Sequence, residues 1–192
     1  MENILSIKAL PRKTNAAVKS LLAVTVVALS VVLPQLVHAA TGAQGGAKWL
    51  PMYLPMLLGG CLLGQAWGVG IGMLSPLVSF CLTAAFGHPM PALARLPFLA
   101  AELAVFGAVS GAFAAKIAQN ARFAFPAVLC AQAAGRSSLL LCAVLFSRAA
   151  PFTPAVALAQ IVTGLAGIVL QAAVVPLLVI GLRRLWRTRR ND

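Results

Sequence analysis

The chain has 192 residues, of which 61% are apolar and 9% charged, an apolar excess over charge that excludes a water-soluble domain of ordinary composition. Roughly 20 mainly apolar residues make one membrane-spanning helix, so the apolar content supplies about five or six spans and leaves no room for a second folded unit. Three acidic residues (Glu2, Glu102, Asp192) against fifteen Lys and Arg give a net charge of +12. The basic residues sit at the ends of apolar runs, which points to membrane lipid and topology, with no nucleic acid as partner.

The basic amino terminus, residues 1–16, precedes an apolar run over 21–37 that reads as a first span. The same run also fits a cleaved signal peptide, since Val37-His38-Ala39 precedes Ala40 in the small-residue cleavage pattern. Residues 39–48 are small, polar and glycine-rich and read as an outer loop. Two further spans follow, over about 50–66 and 67–86. Gly60, Gly64, Gly68 and Gly72 recur every fourth residue, which predicts close helix packing, either along one continuous helix or across a turn near Gln65. Two prolines in Gly87-His88-Pro89-Met90-Pro91 break the helical pattern. A fourth span covers about 96–115, a fifth about 123–146, and a sixth begins near Pro154 and runs to Leu182, ahead of the basic tail 183–192.

Alternating six spans across a membrane collects eleven basic residues on one side: Lys8, Arg12, Lys13, Lys19, Lys116, Arg122, Arg183, Arg184, Arg187, Arg189 and Arg190. The other side holds three, Lys48, Arg95 and Arg148. The positive-inside rule then places both termini in the cytoplasm. The expected fold is thus an all-α integral membrane protein with six transmembrane helices over 17–182.

No catalytic constellation emerges. His38 and His88 are the only histidines and lack metal-site spacing. Cys61, Cys81, Cys130 and Cys142 form no C-x-x-C pair and read as small buried hydrophobes. The loop Gly42 to Trp49 lacks the residues of a phosphate cradle, having Ala47 and Trp49 where Gly and Ser or Thr are required. No cofactor or metal is expected on this chain, and any ATP chemistry belongs to a partner.

Glu102 is the only acid inside a span, and in hydrocarbon it needs a partner, a proton or water. Arg136, near the middle of the antiparallel fifth span, is the leading partner, so the two either form a buried pair that fixes helix register or face a ligand cavity. Gln132, Gln160 and Gln171 are expected to bond between helices, with Gln160 best placed to reach an outward cavity. Trp49, Met52, Tyr53, His88 and Met90 gather at the outer boundaries. There they form either an interfacial belt or a pair of loops folded over a ligand.

Five segments resemble, in order, the substrate-binding or S component of energy-coupling factor (ECF) vitamin transporters. They begin with Ala28-Leu-Ser-Val-Val-Leu-Pro34, with His38 beyond, and Leu50-Pro-Met-Tyr-Leu-Pro-Met-Leu-Leu-Gly-Gly60. Gly72-Met-Leu-Ser-Pro-Leu-Val-Ser79, Gly87-His-Pro-Met-Pro91 and Ala101-Glu-Leu-Ala-Val-Phe-Gly-Ala-Val-Ser-Gly111 follow. Together they lie within about 20–115, and the carboxy-terminal half matches only in span number and length.

The resemblance implies a six-helix protein of a bacterial or archaeal cytoplasmic membrane. It would capture a vitamin or related micronutrient from outside and associate with a transmembrane coupling subunit and two cytoplasmic ATPases. The outer loop with His38, Trp49, Met52 and Tyr53 would be the lid, and the 87–91 loop with His88 and Met90 a second wall. Glu102 matches the acidic position of the fourth span; Arg136 and Gln160 join the expected site by position alone. The family's first span carries small residues four apart where the coupling subunit packs, and here Ser20, Ala23 and Ala28 stand nearest that pattern.

The rival readings are a membrane-embedded enzyme using Glu102 with a histidine, and a small homo-oligomeric channel or assembly protein with Glu102 lining a shared pore. An arginine in the cavity would favour a carboxylate-bearing cargo such as pantothenate, folate or biotin. Aromatic groups at the lid would equally suit flavin or cobalamin.

Overall fold

A computed structural model describes residues 12–148 and 151–188, without the side chains of residues 12–15, 43–44 and 186–188. Lys8, Arg189 and Arg190 of the topology count lie outside the described residues. So do residues 1–11 of the basic amino terminus, 149–150 of the last outer loop and 189–192 of the tail.

The described residues form nine α-helices joined by turns and two single-turn 3-10 segments. In order they are α1 (Arg12–Thr41), α2 (Ala43–Trp49), α3 (Tyr53–Leu63), α4 (Gln65–Ala85), α5 (Leu96–Ala112), α6 (Ala114–Gln119), α7 (Ala124–Leu145), α8 (Pro154–Thr163) and α9 (Leu165–Thr188). Five stretches are long and apolar enough to cross a bilayer: Ala16–Thr41, Gln65–Ala85, Leu93–Ala112, Ala121–Leu145 and Leu165–Leu185. The chain has the architecture of a helical, multi-pass membrane protein.

The second apolar run departs from the expected span over 50–66. Its helix, α3, has 11 residues, about half the rise needed to cross a hydrocarbon core of ~30 Å. Pro51 is the physical reason, because proline drives the residue before it out of the helical region. Leu50 leaves the helix as the left-handed cap of α2, φ 49° and ψ 51°, its N–H bonded to the Gly46 carbonyl, a conformation that costs a non-glycine residue roughly 1–2 kcal/mol. At the other end Gly64 has φ 96°, which an L side chain rarely adopts, and the chain folds back there from α3 into α4.

That turn resolves the glycine stripe. Gly60, Gly64, Gly68 and Gly72 lie on two helices and the bend between them, and the bend directs Gly60, Gly68 and Gly72 at α5. A Cβ on Gly60 would meet Ser110, one on Gly68 the backbone of Gly107, and one on Gly72 the backbone of Leu103, while Gly111 abuts Gly64 and Gln65. This register makes α4 and α5 antiparallel. Without a hydrophobic drive between helices in lipid, such backbone-to-backbone approach is the main source of their attraction.

Helices α5 and α7 are also antiparallel: Gly135 packs on the Phe106 ring, Arg136 meets Glu102, and Phe146 stacks edge-on against Phe98. Pro154 opens α8, capped by the Thr153 hydroxyl, which accepts the Val156 N–H at 3.4 Å. Backbone bonds continue through Gly164, from its N–H to Gln160 and from Ile168 back to it. The expected sixth span is therefore two consecutive helices, α8 and α9, joined at Gly164, and α9 runs on to Thr188 through Arg183, Arg184 and Arg187.

Two of the three glutamines bond between elements, as the sequence predicts. Gln132 donates to the Ile168 carbonyl and Gln171 to the Leu50 carbonyl, each at 2.9 Å. The Leu50 carbonyl also accepts the Tyr53 N–H at 3.1 Å, so the carbonyl at the break between α2 and α3 is tied both to α3 and to α9. Gly167 lets the Trp49 carbonyl approach α9 at the same level.

The cysteines depart from the expectation of uniform burial. Cys61 is buried and Cys142 half-buried, but Cys81 and Cys130 are exposed, as outward-facing positions on lipid-crossing helices can be. All four are free thiols.

Candidate functional site

Near the middle of the bundle, α3, α5 and α7 each contribute one polar side chain to a buried cluster. Arg136 Nη1 donates to Glu102 Oε1 at 2.6 Å, and the Tyr53 hydroxyl donates to Glu102 Oε2 at 2.6 Å. Arg136 Nη1 also lies 3.4 Å from the Tyr53 oxygen. Glu102 has no exposed surface, Tyr53 is 3% exposed and Arg136 7%. The guanidinium carbon sits 4.6 Å from the Tyr53 ring centroid and 5.6 Å from that of Phe106, and the two rings meet edge-on with centroids 5.1 Å apart. Opposite charges in contact, hydroxyl donation and ring faces together replace the water that these groups lose.

The sequence left Glu102 and Arg136 open between a register pair and a ligand-facing pair; the structure joins them in an ion pair. It also corrects the interfacial-belt alternative for Tyr53, which lies inside the bundle. Three features drive this: Tyr53 begins α3 directly after the Pro51 break, the break is held inward by Gln171, and Glu102 offers a second carboxylate oxygen.

The two charged partners differ in how far their hydrogen-bonding groups are paired. Each carboxylate oxygen accepts one hydrogen bond, and Glu102 has no exposed surface. Arg136 Nε and Nη2, by contrast, are buried without a hydrogen-bond partner. Buried guanidinium donors without acceptors are costly, and an anionic or carbonyl-bearing group would satisfy them.

A cavity of about 90 Å³ lies near the cluster, lined by Pro91, Arg95, Phe98, Leu99, Leu139, Phe152 and Gln160. Leu99 and Leu139 stand one helical turn from Glu102 and Arg136, on the side toward the loops that begin α5 and end α7. Arg95 lies 5.8 Å from the Phe152 ring centroid, and Phe152 stacks on Phe98 at 4.9 Å. The 86–92 loop holds Pro91 at the cavity through polar bonds to α4: Ser79 donates to the Met90 carbonyl at 3.0 Å, and the Met90 N–H donates to Thr83 Oγ1 at 2.7 Å.

Of the expected site residues, Tyr53, Glu102 and Arg136 come together in the cluster and Gln160 lines the neighbouring cavity. His38, Trp49, Met52, His88 and Met90 do not line that cavity. Met52 is buried at the break, Trp49 packs its carbonyl on α9, and Trp49, His88 and Met90 are exposed. The 87–91 segment does supply a wall, but through Pro91. Sequence reasoning missed Arg95, Phe98 and Phe152 as cavity residues. A basic residue beside the double proline and a Pro-Phe pair ahead of α8 were the available signals. Ser20, Ala23 and Ala28 line a separate apolar groove of about 620 Å³ between α1 and α4.

Among the described residues no three His, Cys, Asp or Glu side chains gather as a metal site would require. No family model, curated protein or solved structure matches the chain.

Proposed function

We propose that this chain is the membrane-embedded substrate-binding component of an ECF-type vitamin transporter. It takes a small water-soluble micronutrient at the outer side of the bundle and relies on a coupling subunit and two ATPases for energy. In this reading α2 and α3 together form one interrupted crossing, which gives six crossings with both termini in the cytoplasm of a bacterial or archaeal cell.

The observation that carries the proposal is the pairing of a buried cluster that retains two unpartnered Arg136 donors with a cavity walled by Arg95, Gln160 and aromatic rings. Small-molecule sites are commonly apolar and aromatic with a few convergent polar groups. At about 90 Å³ the cavity holds a carboxylate or amide end of a ligand; the rest requires the 86–92 loop or the α2–α3 break to move. The ion pairing and complete burial of Glu102 favour binding over acid–base catalysis, and its burial inside one chain favours binding over a pore shared between copies.

Purification from a native host in mild detergent tests the assignment. Copurification with an ATPase pair supports it, whereas a homo-oligomer without ATPases supports the channel or assembly reading.

A further inference from the structure

One ring divides the cavity beside the charged cluster from a larger, apolar space. Phe98 lines both the cavity of about 90 Å³ that holds Arg95 and Gln160 and a groove of about 400 Å³ walled by Ala94, Pro97, Ala101, Cys142 and Phe146. Its aromatic neighbours repeat the division. Phe152, which lines the cavity, has its centroid 4.9 Å from that of Phe98, and Phe146, which lines the groove, 6.1 Å.

The two spaces differ in chemistry. Arg95 in the cavity has no carboxylate partner among the described residues, where Glu102 is the only acid and pairs with Arg136. The groove carries no side chain more polar than the Cys142 thiol. Its walls belong largely to stretches that cross the bilayer, and Ala94, Pro97 and Ala101 are exposed. A polar group placed there loses water without gaining a partner, whereas a hydrocarbon chain or ring is favoured.

Resting on the transport reading, we propose that the nutrient is an amphipathic monocarboxylate. Its carboxylate pairs with the Arg95 fork beside the Gln160 amide, and its apolar body passes Phe98 into the groove between α5 and α7. The movement of the 86–92 loop that a whole ligand requires withdraws Pro91 from the cavity, and the Phe98 ring turns into the space this leaves. Joined, the two volumes fall within the ~300–1,000 Å³ usual for small-molecule sites, which the cavity alone does not approach. Pantothenate, whose carboxylate is carried on a hydroxylated amide, and riboflavin, which has no carboxylate, fall outside this class.

The test follows the unfolding temperature of the full chain in detergent with biotin, lipoate and phenylbutyrate, with their primary amides, and with pantothenate and riboflavin. At least one of the three acids should raise it by several degrees and its amide should not, although the amide partitions into detergent more strongly. Arg95→Gln should weaken binding of that acid by roughly tenfold, as the loss of a hydrogen bond to a charged group does. Ala101→Trp fills the groove, leaves Arg95 and Gln160 in place, and should weaken binding by a similar factor, roughly tenfold. Should that variant fail to fold, Ala101→Leu should weaken binding by roughly threefold. Ala173→Trp, the same change at an exposed position of α9, should leave binding unaltered. Equal response to an acid and its amide, or acid binding undiminished in the folded Ala101 variant, would overturn the proposal. A shift from pantothenate or riboflavin alone would overturn it while leaving the transport reading in place, and no shift from any compound would count against both.

Discussion

From Gly107 to Gly111, helix α5 meets α3 and α4 through backbone, with glycine on both sides of the contact. From Glu102 back to Leu96, the same helix meets its neighbours through an ion pair, a tyrosine hydroxyl, stacked rings and a cavity. The first region is closed because nothing larger than hydrogen fits between the helices. The second leaves volume and unpartnered donors. One helix thus combines an end held by backbone contact with an end that leaves a cavity and unpartnered donors, the end to which the proposed function assigns the ligand.

Substitutions at the end held by backbone contact should be the most damaging. Gly68→Leu drives a side chain into the Gly107 backbone, and we expect no monodisperse protein on size-exclusion chromatography in detergent. Gly70→Leu, where a Cβ meets nothing within 4 Å, should elute and unfold as the wild type does. Equal tolerance of both would show that backbone contact does not hold the two helices.

The charged region should respond less, and in a different pattern. Arg136→Leu leaves Glu102 buried beside an apolar side chain and should destabilise the fold by about 3–5 kcal/mol, read as a lower unfolding temperature in detergent. Glu102→Leu combined with Arg136→Leu should recover more than half of that loss, because no uncompensated charge remains. A double variant as unstable as the sum of the two single variants would contradict the ion pair.

Tyr53→Phe removes only the hydroxyl that donates to Glu102 and should cost about 1.5–3 kcal/mol, the usual range for a hydrogen bond to a charged group. Smaller still is the expected effect of Gln160→Leu on stability, within about 0.5 kcal/mol, since its role is to line the cavity. A large drop in unfolding temperature would instead assign Gln160 to the scaffold.

Much of this contrast was legible in the sequence. Glycines spaced by four announced close packing, and a lone acid in an apolar run announced a polar site that Arg136 was placed to complete. The spacing could not say that Gly64 folds the stripe into two helices, because a continuous helix and a tight turn present the same glycines to a neighbour. Tyr53 was legible as an aromatic residue near a boundary, but its depth depends on the Pro51 break and on Gln171, 121 residues away from Leu50 in sequence. The cavity residues Arg95, Phe98 and Phe152 come from separate segments whose meeting is a property of tertiary structure. Local patterns therefore found the charged cluster more readily than the space beside it.

The central claim, that the outer half receives a small nutrient, is tested most directly by the unfolding temperature of the detergent-solubilised chain against a panel of water-soluble vitamins. One compound should raise it by several degrees, and that rise should shrink in Arg95→Gln and Gln160→Leu while both variants unfold normally without ligand. A panel in which no compound shifts the wild type, or in which the shift survives both substitutions intact, would contradict the account.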